Sequence, residues 1–357
     1  MILANRKNLN IALVSAVVLS TIMAIAASPA TARNVKWQEP VVMAGPGDYQ
    51  CLDLVTGVNG VYVLTHEYPA GRVLLFKSLD GGSTWNAPVN VFEMPIWAAY
   101  PGMCVYQEGD EDTILVASGP NYVAKSTDSG ATFVRLTDVP KPASYDTWYC
   151  SSAIGTNASW FGGEADSDIY FVSGYYMGIP WTGKYVLHFS KSCDGGSSWT
   201  EPVVVSTMDY SSIWPEVFSD GERLYTLHAV PYNFNVHLKY SDDWGATWTD
   251  GGDLATSEGG GGLLALKVQP IDHRKAFVTL WDVQLGTGFA RCGYFEYDDM
   301  AFTDTFRVEN PEWRFAMHGL NVEKVGPSGF RIAGIDRAAD DTHTVMFANS
   351  WTLDSSD

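Results

Sequence analysis

Two acidic residues sit among aromatic neighbours: Asp146 in Tyr145-Asp146-Thr147-Trp148-Tyr149, and Glu216 in Trp214-Pro215-Glu216. A carboxyl against apolar rings holds its proton more tightly than one in water. Two carboxyl groups about 5–9.5 Å apart can hydrolyse a glycosidic bond, one donating a proton to the leaving oxygen and the other serving as base or nucleophile. Glu67, beside His66, is a further candidate. Tyr149, or His318 with Arg314, offers a different chemistry, a base opposite an arginine-neutralised uronate, as a polysaccharide lyase requires.

Segments with the polarity of loops also carry many aromatic side chains, among them Trp97, Trp148, Tyr176, Trp181, Trp214 and Trp313. Flat rings with polar rims suit the C–H faces and hydroxyls of sugars; packing between sheets is their other use. Arg72, Arg314 and Arg337 could form a basic pocket for an acidic sugar. The seven histidines lack metal-binding spacing, and Gly259–Gly262 is not followed by the Lys-Ser/Thr of a phosphate loop. No metal or cofactor is expected.

These residues need a scaffold, and a repeated phrase shows which. Ser78-Leu79-Asp80-Gly81-Gly82-Ser83-Thr84-Trp85 has relatives whose acids are Asp128, Asp194 and Asp243, placed 48, 66 and 49 residues apart. A period near 50 residues marks a propeller or solenoid. Short apolar runs surround each phrase: in the first unit 52–56, 61–65 and 73–77 precede it and 88–92 follows. Four short strands between turn residues make one propeller blade. Runs at 263–268, 276–281 and 290–296, then at 320–325, 330–335 and 344–349, supply two blades without a clean phrase. The last lacks a fourth strand, and Trp37-Gln38-Glu39-Pro40-Val41-Val42 echoes Trp199-Thr200-Glu201-Pro202-Val203-Val204 in five of six positions. The expected fold is therefore all-β: a six-bladed β-propeller of four-stranded antiparallel blades over residues 33–357, its last blade closed by the N-terminal strand.

The phrases resemble the Asp-box (BNR) repeats of the sialidase-like superfamily, over nearly the whole of that span. The resemblance implies that the boxes lie on the side opposite the active site, so Asp80, Asp128, Asp194 and Asp243 are read as turn locks. It does not choose a reaction, because the superfamily spans sialidases, other glycosidases, lyases and non-catalytic proteins. A sialidase proper is disfavoured: its early Arg-Ile-Pro motif is absent, and no expected inner strand carries an arginine. The leading expectation is a glycoside hydrolase acting on an extracellular glycan. The alternatives are a non-catalytic glycan-binding propeller and, third, a polysaccharide lyase.

Arg6 and Lys7, the apolar run 11–27 and Ala30-Thr31-Ala32 read as a signal peptide over residues 1–32, hence a secreted or periplasmic protein. Its removal leaves 20 basic against 41 acidic residues. A surface so negative repels phosphate backbones and anionic membranes, so neither nucleic acid nor membrane is expected as a partner; the aromatic load points to carbohydrate, and a monomer is expected. Cys51, Cys104 and Cys150 each fall at the start of an inner strand, as small buried residues, a Cys51–Cys104 disulfide, or a redox or metal site.

Overall fold

The computed structural model describes residues 31–32, 37–93, 99–119, 121–141, 146–161, 168–177, 184–208, 213–230, 235–257, 263–284, 287–308, 315–327, 329–337 and 342–350. These residues form six sheets, each with four antiparallel strands, and the fold is a six-bladed β-propeller. Blade one runs Tyr49–Thr56, Val61–Glu67, Arg72–Ser78 and Val89–Glu93 from the centre outward. The other inner strands are Gly102–Glu108, Asp146–Gly155, Ile213–Ser219, Leu263–Pro270 and Phe315–Val325. Each packs on the inner strand of the next blade, and the sixth packs on the first.

Second strands lie between neighbouring blades and are apolar on both faces. Leu224–Val230 is buried throughout, and Val61–Glu67 is buried in all but its last residue. Outer strands such as Val89–Glu93 alternate with solvent. This difference makes the inner two strands of each blade easier to read in sequence than the outer one.

The last blade is completed as expected. Val41–Gly47 pairs antiparallel with His343–Asn349, Trp37 bridges Ser350, and the Gln38 N–H donates to the Asn349 carbonyl at 2.8 Å. Blade five has a fourth strand, Ala301–Val308, that the apolar runs did not reveal. Its alternating Phe-Thr-Asp-Thr-Phe breaks at Asp304, whose φ is 48°. Thr31–Ala32 lies parallel against this strand, and the rest of the proposed signal peptide is outside the described residues.

The four repeated turns are superimposable in their bonding. In the first, Ser78 Oγ donates to Asp80 Oδ1 at 2.8 Å and accepts from the Gly82 N–H at 2.7 Å. Asp80 in turn accepts from the Thr84 N–H at 2.8 Å and from Thr84 Oγ1 at 2.6 Å. Asp128, Asp194 and Asp243 accept the same pair of bonds from Thr132, Ser198 and Thr247. The bonds from Thr84, then from Ser78, hold the Asp80 carboxyl at about 2. That contribution to stability is present above the ordinary carboxylate pKa and is lost as pH falls toward 2. Both carboxylate oxygens accept bonds inside the turn, so these aspartates act as locks.

Each turn also ties its blade to the preceding one. The second glycine has positive φ in all four copies: Gly82, Gly130, Gly196 and Gly245. A Cβ on Gly82 would lie 1.9 Å from a ring carbon of Phe347 in blade six, and one on Gly245 would lie 2.0 Å from Phe189 in blade three. The residue before it also has positive φ but faces open space at Gly195, and Ser129 and Trp244 occupy the equivalent place. Gly82→Ala is therefore expected to cost about 3 kcal/mol, from overpacking plus left-handed strain. Gly195→Ala should cost only about 1 kcal/mol. Urea unfolding of the two variants checks this, and equal costs would refute the interlock.

Candidate active site in the central channel

Third strands end at the repeated turns, and inner strands begin at the opposite end of the barrel of blades. The channel mouth at that opposite end is where the inner strands begin. Five of the six inner strands carry a register irregularity there, at Gln50/Leu52, Asp146/Cys150, Ile213/Glu216, Leu264/Leu266 and Phe315/Leu320. A bulge re-aims side chains and is common beside functional sites. In blades one and four it sets Cys51 (φ 63°) and Trp214 (φ 52°) in the left-handed region, strain that the flanking strands must hold. Trp214 is further fixed by its N–H, which donates to Ser151 Oγ of blade three at 3.0 Å.

Between these strand beginnings lies a cavity, open to solvent, whose polar lining includes Asp53, Ser152, Glu216 and Asn321. Tyr100 and Trp214 wall it, edge to face with centroids 5.6 Å apart. Glu216 keeps part of its surface toward this cavity, yet its carboxyl is deep enough for burial to dominate. Burial raises it well above the usual carboxylate range; Lys267 opposes the shift and Asp53 adds to it. Burial thus favours the protonated form of Glu216.

Asp53, in the middle of the first inner strand, is 3% exposed and collects donors from four blades. Its Oδ1 accepts from the Leu54 N–H at 2.8 Å, from Asn321 Nδ2 at 3.1 Å and from Lys267 Nζ at 2.7 Å. Its Oδ2 accepts from the Met103 N–H at 2.7 Å. Lys267 is nearly buried; burial works against its charge, but Asp53 and Glu216 more than offset that and raise its pKa. Nearer the far end of the channel, Glu323 accepts from the Thr56 N–H at 2.8 Å and from its hydroxyl at 2.5 Å, and Arg331 donates to the same hydroxyl. The channel therefore holds an acid, Glu216, facing a charged pair, Asp53–Lys267, that other blades hold in place.

The structure brings Glu216 and Trp214 to the cavity. It places Glu67 elsewhere, at the outer end of a blade-one hairpin, where it accepts from Arg72 Nε at 2.6 Å. Arg72 is thereby committed to an ion pair on the surface. Asp146 opens the inner strand of blade three opposite Tyr176, with Trp148 and Tyr149 in the same strand, and Arg337 ends the strand 329–337; the side chains of these five residues lie outside the described ones. Trp97, Trp181, Trp313, Arg314 and His318 lie there too, except that His318 has its backbone placed in strand Phe315–Val325. Cys51 and Cys104 are buried thiols with no disulfide between them, and burial pushes Cys104 up to about 12.

Asp53, Lys267 and Asn321 escape a search confined to loops. Their signal is a charged or amide side chain inside an apolar inner strand: Leu52-Asp53-Leu54, Leu266-Lys267-Val268, Leu320-Asn321-Val322. An arginine criterion misses them, and polar residues of any type within an inner strand are the better signal.

No protein-family model and no curated protein matches the chain. Its backbone is similar to an α-L-arabinofuranosidase of Fusarium graminearum solved with an iminosugar inhibitor: TM-score 0.60, 13% identity, over 90% of this chain and 99% of that one. It is also similar to the Trypanosoma rangeli sialidase solved with the inhibitor DANA, at TM-score 0.58 and 12% identity, over 85% of this chain and 55% of that one. A third is the six-bladed fucose-binding lectin of Aleuria aurantia, at 0.55 and 10%, over 87% and 97%. Identities this low show the fold alone, a six-bladed propeller of the kind that carries glycosidase and lectin sites.

Proposed function

We propose that the protein is an exported glycoside hydrolase of the sialidase-like, Asp-box superfamily, with its active site at the channel mouth. One observation carries this reading: Glu216, whose protonated form burial favours, lines an aromatic-walled cavity together with the Asp53 carboxylate. Glu216 gives its proton to the leaving glycosidic oxygen. Asp53, held by Lys267, supplies the negative potential that an oxocarbenium-like transition state needs. Asp146, at the start of the neighbouring inner strand, takes the role of base toward water. The similarity to propellers that hold an iminosugar, DANA or fucose supports a glycan as substrate. The basic start, apolar run and Ala-x-Ala of residues 1–32 support export.

A second reading, a lectin without turnover, is favoured by the full donor set around Asp53, which suits a structural carboxylate. The test is incubation with a panel of neutral and acidic polysaccharides and sialosides. Hydrolysis predicts new reducing ends without the ultraviolet absorbance of an unsaturated uronate. That absorbance would mean a lyase, and binding without either product would establish the lectin reading.

A further inference from the structure

We infer that the channel mouth is a subsite for an uncharged polyhydroxyl ligand, a neutral glycosyl unit, anchored by Ser152 and Asn321. The inference rests on the proposed function only for the glycan class of the ligand. Ser152 is 5% exposed and Asn321 3%, and both line the cavity. Ser152 Oγ and Asn321 Oδ1 are nevertheless without a hydrogen-bond partner in the protein. A buried polar atom left without a partner is destabilising, so two at one cavity call for an explanation.

The orientation of Asn321 follows from its neighbour. A carboxylate can only accept, so Asp53 Oδ1 requires the Nδ2 side of the amide, at 3.1 Å, and Oδ1 is left as an acceptor. Ser152 both donates and accepts. The protonated Glu216 adds a donor on the same cavity. Hydroxyl groups, each donor and acceptor at once, satisfy this mixed set, and the Tyr100 and Trp214 rings suit the C–H face of a sugar ring.

The charges of the described lining disfavour the acidic alternatives. The cavity's described lining carries two acids, Asp53 and Glu216, and no basic side chain. Lys267 sits behind Asp53 and spends its charge on it at 2.7 Å. Arg72 is paired with Glu67. A ligand carboxylate would therefore be desolvated beside the Asp53 carboxylate with no unpaired cation in the described lining to receive it.

The experiment compares methyl glycosides of galactose, glucose, xylose and arabinose with glucuronate, galacturonate and N-acetylneuraminate, by saturation-transfer NMR and calorimetry on the wild-type protein, Ser152→Ala and Asn321→Leu. At least one neutral glycoside should bind, and each acid should bind more weakly by about tenfold or more. Ser152→Ala should weaken the neutral ligand about fivefold, the loss of one hydrogen bond. Because Ser152 Oγ has no partner within the protein, this variant should melt like the wild type; Asn321→Leu also strips a donor from Asp53 and is read only if it stays folded. Preference for an acid, neutral binding unchanged by Ser152→Ala, or no neutral binding at all overturns the inference. Neutral binding without turnover upholds it and removes the hydrolase. Turnover of an acidic glycan does the reverse.

Discussion

Glu216→Gln should lower kcat on any substrate the panel reveals by roughly 10²–10⁴-fold, the usual contribution of a positioned general acid. Glutamine keeps the size and the polar end but cannot give up a proton, so KM should change little. The pH dependence is the sharper test. Burial, opposed by Lys267 and aided by Asp53, pushes the Glu216 carboxyl up to about 8. An acid must carry its proton to act, so the wild-type rate should hold below that value and fall above it. The residual activity of Glu216→Gln should lack this alkaline limb. Stability runs in the same direction. A carboxyl whose folded pKa exceeds its unfolded value of 4.5 binds its proton more tightly in the native state. Its contribution is full below the unfolded value and is lost as pH rises toward about 8. Glu216→Gln should flatten that decline, which melting curves across the range would show. A variant that keeps more than about a tenth of wild-type turnover would remove Glu216 from the chemistry.

The repeated phrase made the fold legible because its spacing counts blades and its bonding is local. Four turns with the same serine, aspartate and glycine in the same roles are a property of eight consecutive residues, which a sequence displays whole. The strand bounds were legible only in part. Runs such as 152–154 and 186–190 mark where both faces of a strand are buried, whereas the strands themselves are Asp146–Gly155 and Lys184–Ser192. The missing residues lie toward the channel mouth, where bulges and polar side chains interrupt the apolar run. For that reason Trp214-Pro215-Glu216 has the look of a loop although it lies within strand Ile213–Ser219. The site itself was less legible. Glu216 could be found because Trp214 and Pro215 precede it, but Asp53, Lys267 and Asn321 come from strands far apart in sequence, and only closure of the ring brings them together.

That meeting makes Lys267 the residue whose loss should be felt most in stability. Lys267→Met leaves Asp53 buried with its charge and only neutral donors: the N–H groups of Leu54 and Met103 and the Asn321 amide. Breaking a buried ion pair from one side costs about 3–5 kcal/mol, because the remaining charge stays desolvated. The charged pair persists in neutral solution: with its pKa raised, Lys267 stabilises the fold fully below its unfolded value and loses that only in strong alkali. The effect should extend to the acid, since Lys267 is what draws Glu216 down. Lys267→Met should therefore move the alkaline limb of the rate upward, a change that mere loss of stability would not cause. The double variant Asp53→Asn/Lys267→Met removes both charges and should recover more than half of the lost stability, because a neutral pair can replace a buried ion pair at little cost. If Lys267→Met unfolds at the wild-type urea midpoint, Asp53 and Lys267 are not a coupled buried pair. If it is destabilised but the limb stays in place, Lys267 supports the channel without tuning Glu216.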